Sequence, residues 1–445
     1  MSAAKKRFVL VGTGKRAVMF IDPIVSEYKD VATLDAICDL SQTRMNWHNL
    51  RAAELFGAAP VPTYLAGDFD RMIREMRPDT VIVCSMDSTH HDYIIRAMEL
   101  GCDVICEKPM TIDAEKARAI FDCIARTGRS LRITHNVRYI PMIAKVRELI
   151  RQGIIGSPKT VSLTYTLDTR HGASYFQRWH REKDKSGGLL IHKASHHFDM
   201  INWWIDSYPK TVFAMGDLMF YGKQNAEARG EHYSYDRYTG EAAAKNDPFA
   251  VFLDQTDADG PVSVPGSRGL YLNAEAETGY VRDRNVFGDN ITAEDVMALT
   301  VRYRNGVIFS YSLVAFSPVE GFRAAITGDK GRIEVTDILG PHAIEGLSPD
   351  EVVARMKQAE QKSIRVFPMF GAAYDVDIPK PKGPHGGGDE LLIRDLLSAD
   401  AARSDPLHQA ATHVDGAAAV LMGIAANESI RTGLPVECDV LLKLQ

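Results

Sequence analysis

The chain has 445 residues, 45% of them hydrophobic and 25% charged, and a formal net charge of −6. That length predicts two or three domains with ample core, and the mildly acidic balance argues against nucleic acid or an anionic membrane as the main partner. No apolar run approaches the about 18–20 residues needed to span a bilayer, so a cytoplasmic protein with a small-molecule ligand is expected.

The basic start, Met1–Arg7, leads directly into the apolar run Phe8–Val11 and then a glycine loop. With no separate apolar h-region, this reads as a first strand and not as a signal peptide. Further β runs are Leu34–Cys38, ending in Asp39, then Thr80–Cys84, Asp103–Cys106 and Leu131–Thr134. Segments of helical spacing, such as Asp92–Leu100 and Ala114–Ala125, lie between them. Such alternation predicts a parallel sheet with right-handed crossovers. There are six cysteines, five of them in the first 123 residues and none in a CxxC pair. Reduced, buried thiols are expected.

Within this frame the loop Gly12-Thr13-Gly14-Lys15-Arg16-Ala17 predicts a dinucleotide site. Gly12 permits the tight turn, Gly14 lets the backbone approach a pyrophosphate, and Ala17 takes the third small position, where helix packs on strand. The helix N-terminus then faces the phosphates. Asp39 stands 22 residues after Ala17, where a carboxylate accepts from the adenosine ribose. A 2′-phosphate would meet that carboxylate, so NAD is expected over NADP. Arg16 and Arg44 are the two cations able to overturn this. Ligands of open α/β sheets bind beyond the carboxyl ends of the strands. That places Ser85 and His90, in the loop after Cys84, and Glu107 and Lys108, after Cys106, at the cofactor, with Lys108 projecting toward the nicotinamide.

Downstream, residues 157–168 and 298–315 read as strands of a second sheet covered on one face by helices. The run from Asp168 to His180 mixes aromatic and hydrogen-bonding residues, as sugar sites do, so Asp168, His171, Tyr175, Arg178 and Trp179 are substrate candidates. After Gly187-Gly188 a buried helix is expected, with His192, His196 and Asp199 on one stripe at i, i+4 and i+7. Ionisable groups are costly to bury without a purpose. The His192/His196 pair lacks the glutamate of HExxH, so no metal is expected. Lys193 is a candidate for an anionic substrate group. A polar stretch at about 221–290 reads as an ordered insertion or lid, with Arg282 as a substrate candidate. Pro384–Asp389 forms a glycine nest before a helix, and a last Ala-rich helix spans roughly Ala410–Thr432.

The Gly12-Thr13-Gly14 loop, Asp39, Ser85–His90, Glu107-Lys108-Pro109, Asn136-Val137-Arg138-Tyr139 and the Gly-Gly helix with His196 and Asp199 together resemble the Gfo/Idh/MocA oxidoreductase family. That family includes glucose–fructose oxidoreductase and inositol dehydrogenase. The resemblance implies an α/β protein: a Rossmann domain, residues 1–140, then a substrate-binding and oligomerisation domain, residues 141–445, with a large, mostly antiparallel sheet. It implies NAD(P), hydride chemistry on a sugar or cyclitol hydroxyl, and a homodimer or homotetramer. Lys108 matches the family lysine that hydrogen-bonds the reacting oxygen, and His196 the histidine that acts as general acid/base. Asn136, at the cofactor, and Arg138, at the substrate, match the segment entering the second domain. One departure stands out: His192 occupies the position four before His196 where the family usually has Asp.

The expected activity is NAD-dependent oxidation of a ring hydroxyl of a sugar, glycoside or cyclitol. Two rivals remain. One is an NAD-dependent glycoside hydrolase working by transient oxidation, elimination and re-reduction. The other is a non-catalytic NAD-dependent sensor, against which the presence of both Lys108 and His196 argues.

Overall fold

In the computed structural model, which describes residues 4–254, 267–340, 351, 354, 357–379, 385–398 and 405–444, the chain forms two units. The first comprises Met1–Tyr139, Phe252–Arg282 and Gly383–Ala417, the second Ile140–Val251, Asp283–Lys382 and Ala418–Gln445. The first boundary lies beside the expected one. Two later segments, expected in the second domain, instead join the first unit.

The first unit is built on strands β1 (Lys6–Val11), β2 (Ala32–Asp39), β3 (Thr63–Leu65), β4 (Thr80–Val83), β5 (Asp103–Cys106) and β6 (Leu131–Ile133). All pairings are parallel, in the order β3-β2-β1-β4-β5-β6. The connecting helices are α1 (Val18–Val25), α2 (Gln42–Phe56), α3 (Phe69–Met76), α4 (His90–Glu99) and α5 (Ala114–Thr127). Side-chain caps start two of them: Ser41 Oγ accepts from Arg44 N at 3.1 Å and Asp113 Oδ1 from Lys116 N at 2.8 Å, each satisfying an otherwise orphaned first-turn donor. The strands are buried on both faces, which explains their continuous apolar runs. Phe8, Leu10 and Ile37 share a core with Phe20 and Ile24 of α1. Ile393 and Leu397, from the helix Gly388–Leu397, complete that core.

The second unit carries β7 (Pro158–Asp168), β8 (Pro209–Asp217), β9 (Val296–Tyr303), β10 (Ile308–Ser317), β11 (Glu320–Gly328), β12 (Gly331–Gly340), β13 (Gln361–Pro368), β14 (Tyr374–Asp375) and β15 (Val436–Glu437). They form one sheet, β14-β13-β12-β11-β7-β10-β9-β8-β15, in which only β7 and β10 pair in parallel. The expected single stretch 298–315 is a hairpin, because Gly306 at φ +88 turns the chain between β9 and β10. Along β7, β9 and β10 alternate residues are buried, including Leu163, Val301 and Phe309, while Ser162, Thr300 and Ser310 are exposed. That period-two pattern marks one covered face.

Helices α6 (Pro141–Arg151), α7 (Thr169–Phe176), α8 (Lys183–Ser186), α9 (Leu189–His192) and α10 (Ser195–Trp204) belong to this unit. Trp204 Nε1 of α10 donates to the Ile143 carbonyl of α6 at 3.1 Å, and Phe198 meets Tyr311 of β10 edge-on at 5.2 Å. The helix after Gly187-Gly188 is therefore not continuous. Ala194 N donates to Leu189 O, an i→i−5 bond of 2.8 Å, and this wider turn inserts an extra residue between α9 and α10. His192 is thereby rotated off the stripe expected to carry His196 and Asp199.

Among the described residues no helix is long and apolar enough to cross a membrane. All six cysteines are free, and burial pushes the Cys84 and Cys106 thiols well above their ordinary range, which leaves them protonated and unreactive.

Candidate functional site

Two groups of side chains carry chemistry, one in each unit. In the first unit the glycine loop joins β1 to α1. Gly12 adopts φ +90, and a Cβ there would lie 2.4 Å from the backbone C of Cys84 and N of Ser85; only glycine fits. At Gly14 a Cβ would have nothing within 4 Å, so the structure leaves open space where a ligand's backbone approach is expected. Asp39 ends β2 as predicted. Its Oδ2 accepts from Thr13 N at 2.5 Å and Thr13 Oγ1 at 2.9 Å, and its Oδ1 from Ser41 N at 2.9 Å. These bonds fasten the glycine loop to the end of β2. The residues present therefore fit a dinucleotide: a glycine cradle, a helix start behind it, and a carboxylate at the strand end.

Arg16 and Arg44, the two cations expected to bear on the cofactor, are held in different ways. Arg16 Nε donates to Glu107 at 2.8 Å, and its Nη1 lies 3.4 Å from Asp389. Asp389 also accepts from Asn136 Nδ2 at 2.6 Å. Asp389 itself was not among the sequence candidates; its place in the first turn after Gly386-Gly387-Gly388 was the only available signal. Arg44 Nε donates to the Leu270 carbonyl at 2.8 Å, its guanidinium lies 5.5 Å from the rings of both Tyr271 and Tyr280, and its Nη1 stands 4.0 Å from Asp39 Oδ1.

The loops after β4 and β5 are tied together by His90. Its Nδ1 lies 2.8 Å from Pro109 O and its Nε2 3.1 Å from Ser85 O. Burial lowers its pKa against the pull of these two carbonyls and of Glu107. Ser85 Oγ further accepts from Thr89 Oγ1 at 2.9 Å. Lys108 follows Glu107 at the end of β5 and is half-buried. Arg138, expected at the substrate, is instead buried within the first unit. Its guanidinium lies 3.1 Å from Asp415 and donates to the His408 carbonyl at 3.2 Å, which gives it a packing role. Arg282 also belongs to this unit, 4.3 Å over the Tyr271 ring.

The second unit gathers a cluster of rings around α7 and α9. Asp168 caps α7, accepting from Arg170 N at 3.1 Å and His171 N at 2.7 Å, so its carboxylate serves the helix start. His171 Nδ1 is 2.7 Å from Glu320 Oε1, and its Nε2 is 3.0 Å from the Tyr175 hydroxyl. Burial pushes His171 down, against the pull of Glu320. Burial would raise Glu320, but His171 and Lys193 outweigh it and hold its pKa below the ordinary value. The carboxylate therefore accepts Nδ1–H of a neutral imidazole, and Tyr175 O–H donates to Nε2. Glu320 carried no sequence signal, because only strand pairing brings it to His171.

Trp179 stacks on His180 at 3.8 Å, and His180 meets His192 at 4.1 Å between ring centroids. His192 also meets Tyr175 edge-on at 5.6 Å. Arg178 covers the Tyr175 ring at 5.5 Å while its Nε donates to Ser174 O at 2.5 Å. Lys193 places its ammonium 4.8 Å over the Tyr165 ring, and burial lowers its pKa. His196 occupies the first turn of α10, partly buried. His197 beside it is structural: its Nδ1 lies 2.8 Å from Tyr311 Oη and its ring stacks on Tyr165 at 4.1 Å.

A parallel-sheet dinucleotide fold joined to a mostly antiparallel α/β domain defines an oxidoreductase class. Residues 6–135 match the oxidoreductase family's NAD-binding Rossmann fold, and residues 147–438 its C-terminal α/β domain. The chain belongs to the Gfo/Idh/MocA oxidoreductase family. It is 32% identical to YteT of Bacillus subtilis, described as an oxidoreductase, over 99% of each chain. Inositol 2-dehydrogenase of Rhizobium meliloti is 28% identical over 43% of this chain and 56% of its own. Among solved structures, levoglucosan dehydrogenase in complex with NADH superposes with a TM-score of 0.63 at 16% identity, covering 98% of this chain and 99% of that one; at that identity the likeness speaks for the fold.

Proposed function

We propose that the protein is an NAD-dependent oxidoreductase acting on a ring hydroxyl of a sugar, glycoside or cyclitol. The observation that carries the cofactor preference is the Asp39 carboxylate at the end of β2, with Arg16 drawn away to Glu107 and Asp389. Arg44 Nη1 stands 4.0 Å from Asp39 Oδ1, where the carboxylate offsets its charge and would itself repel a 2′-phosphate. The relative named inositol 2-dehydrogenase supports the substrate class.

NAD, when bound, supplies the two-electron acceptor. Glycine loop and Asp39 hold the dinucleotide, and His90 steadies the loops from which Ser85 and Lys108 project. Lys108 donates a hydrogen bond to the reacting oxygen as negative charge develops there. His196 takes the hydroxyl proton as general base. His192, with Tyr175, Trp179 and His180 around it, replaces the usual family Asp and sets substrate preference. The neutral His171 keeps Tyr175 oriented.

A cofactor-monitored screen of sugars, cyclitols and aryl glycosides with product analysis tests this reading, together with titration of both dinucleotides. Ketone formation coupled to NAD reduction is expected, with weaker NADP binding. Equal or tighter NADP binding refutes the carboxylate argument, and aglycone release without lasting reduction of NAD refutes net dehydrogenation.

A further inference from the structure

Lys193 stands directly after His192 and three residues before His196, where α9 gives way to α10. At the wide turn closed by Ala194 N and Leu189 O its side chain reaches β7, and its ammonium lies 4.8 Å over the Tyr165 ring. His197 stacks on the same ring at 4.1 Å. A ring face attracts a cation but leaves most of an ammonium's three N–H groups without an acceptor. Among the described residues no carboxylate forms an ion pair with Lys193 and no oxygen accepts from it; Glu320 attracts it only from farther away. A half-buried ammonium in that position is costly unless something else supplies an acceptor.

The carboxylates nearby are already spent. Glu320 is 4% exposed; its Oε1 takes His171 Nδ1 at 2.7 Å and lies 3.5 Å from Tyr165 Oη. Asp168 caps the amides of Arg170 and His171. A second cation, Arg178, is fixed over the Tyr175 ring and donates to Ser174, whose oxygens carry no charge. Lys193 and Arg178 both act against protonation of His171, so the two cations share one electrostatic neighbourhood. All of these residues belong to the second unit. Donor charge remains unsatisfied there, while the acceptor oxygens are buried and bonded. Trp179, half-buried and 5.9 Å from the His192 ring, offers an apolar face to sugar C–H groups.

We propose that the sugar oxidised by this protein is an acid, a uronic acid or uronide, whose carboxylate is held by Lys193 with Arg178 reinforcing the positive field. This rests on the sugar-oxidation reading above and names its substrate class. The carboxylate takes the hydrogen bonds that the Tyr165 ring cannot accept. Lys193 and His196, three residues apart, then engage two groups of one sugar. A neutral hydroxyl in that place would leave the ammonium charge uncompensated, and a phosphate dianion would set a second negative charge against Glu320 and Asp168.

The test is binding by calorimetry to the NADH-loaded protein, with oxidation followed in parallel as NAD reduction. The panel pairs hexuronates and methyl hexuronides with the corresponding neutral hexoses and methyl hexosides, and adds hexose 6-phosphates. A uronate is expected to bind at least about tenfold more tightly than its neutral partner, as one charge-assisted hydrogen bond implies, with a margin that shrinks in high salt. Lys193→Met is expected to bring the uronate down to the level of its neutral partner, and Lys193→Arg to keep part of the margin. The wild-type comparison stands even if a variant fails to fold. If neutral sugars bind and are oxidised as well as the acids, the uronate assignment is refuted and the sugar-oxidation reading stands. A margin that survives Lys193→Met refutes Lys193 as its holder, and tighter binding of the 6-phosphates refutes the carboxylate. If nothing in the panel binds or is oxidised, both readings fall together.

Discussion

Alanine at Gly12 is expected to destabilise the first unit by roughly 3–5 kcal/mol. Two costs add. The backbone is at φ +90, in the region that L-residues occupy at about 1–2 kcal/mol. The new methyl would sit 2.4 Å from the Cys84 carbonyl carbon and the Ser85 amide, and overpacking costs about 1–3 kcal/mol. The upper part of that range applies, because the obstacle is the backbone of the neighbouring strand end and not a side chain able to swing away. For a unit of this size each kcal/mol lowers the midpoint by about 2–4 °C, so a fall of roughly 10 °C is expected by calorimetry. Gly14→Ala is the control. Its φ is −73 and nothing lies within 4 Å of the added methyl, so its melt should match wild type while NAD binds at least tenfold more weakly. A Gly12→Ala protein that melts with wild type, or a Gly14→Ala protein that binds NAD normally, would refute this account of the loop.

Lys108→Ala and His196→Ala should each lower turnover by roughly 10²–10⁴-fold with NAD binding retained, whereas His192→Ala should shift substrate preference; near-full activity of His196→Ala with a dead His192→Ala reverses the two roles. His48, buried beside the Thr13 carbonyl at 3.0 Å, has its pKa pushed down to about 4 by burial. Above about pH 6.5 the ring is neutral in both states, and as pH falls from there toward 4 only the unfolded chain takes the proton. Stability should therefore drop across that window, by up to about 3 kcal/mol, and urea unfolding at pH 7 and pH 5 should show a flatter dependence for His48→Gln; equal slopes would discount burial as the cause. Asp415→Ala strips the buried Arg138 guanidinium of its carboxylate at 3.1 Å and should cost about 3–5 kcal/mol in denaturant unfolding. Removal of a merely superficial pair would cost under about 1 kcal/mol.

Several features were legible without coordinates because their causes are local. Strands buried on both faces must be continuous apolar runs, so β1, β2, β4 and β5 stand out in the chain within a residue or two of their ends. The glycine pair after β1 and the acid ending β2 follow from what a tight turn and a ribose require at those ends. Glu107 and Lys108 are placed by the rule that ligands meet the carboxyl ends of strands. The turn at Gly306 and the break between α9 and α10 were not visible, since a 304–306 turn interrupts an otherwise even β pattern and an i→i−5 bond leaves no residue-type signature.

Tertiary structure alone decided which charges meet. Arg16 finds Asp389 and Arg138 finds Asp415 across more than half the chain, and His171 finds Glu320 only through the pairing of β7 with β11. Residue spacing reports the period of a helix or strand, whereas such partners are chosen by how distant segments return to one core. For the same reason the sequence marked 221–290 as an insertion but placed it with the substrate domain. Its second part joins the dinucleotide unit because Glu277, Leu270 and Tyr271 satisfy donors of Thr43, Arg44 and Lys15, donors that local pattern shows to exist but whose partners only the folded chain supplies.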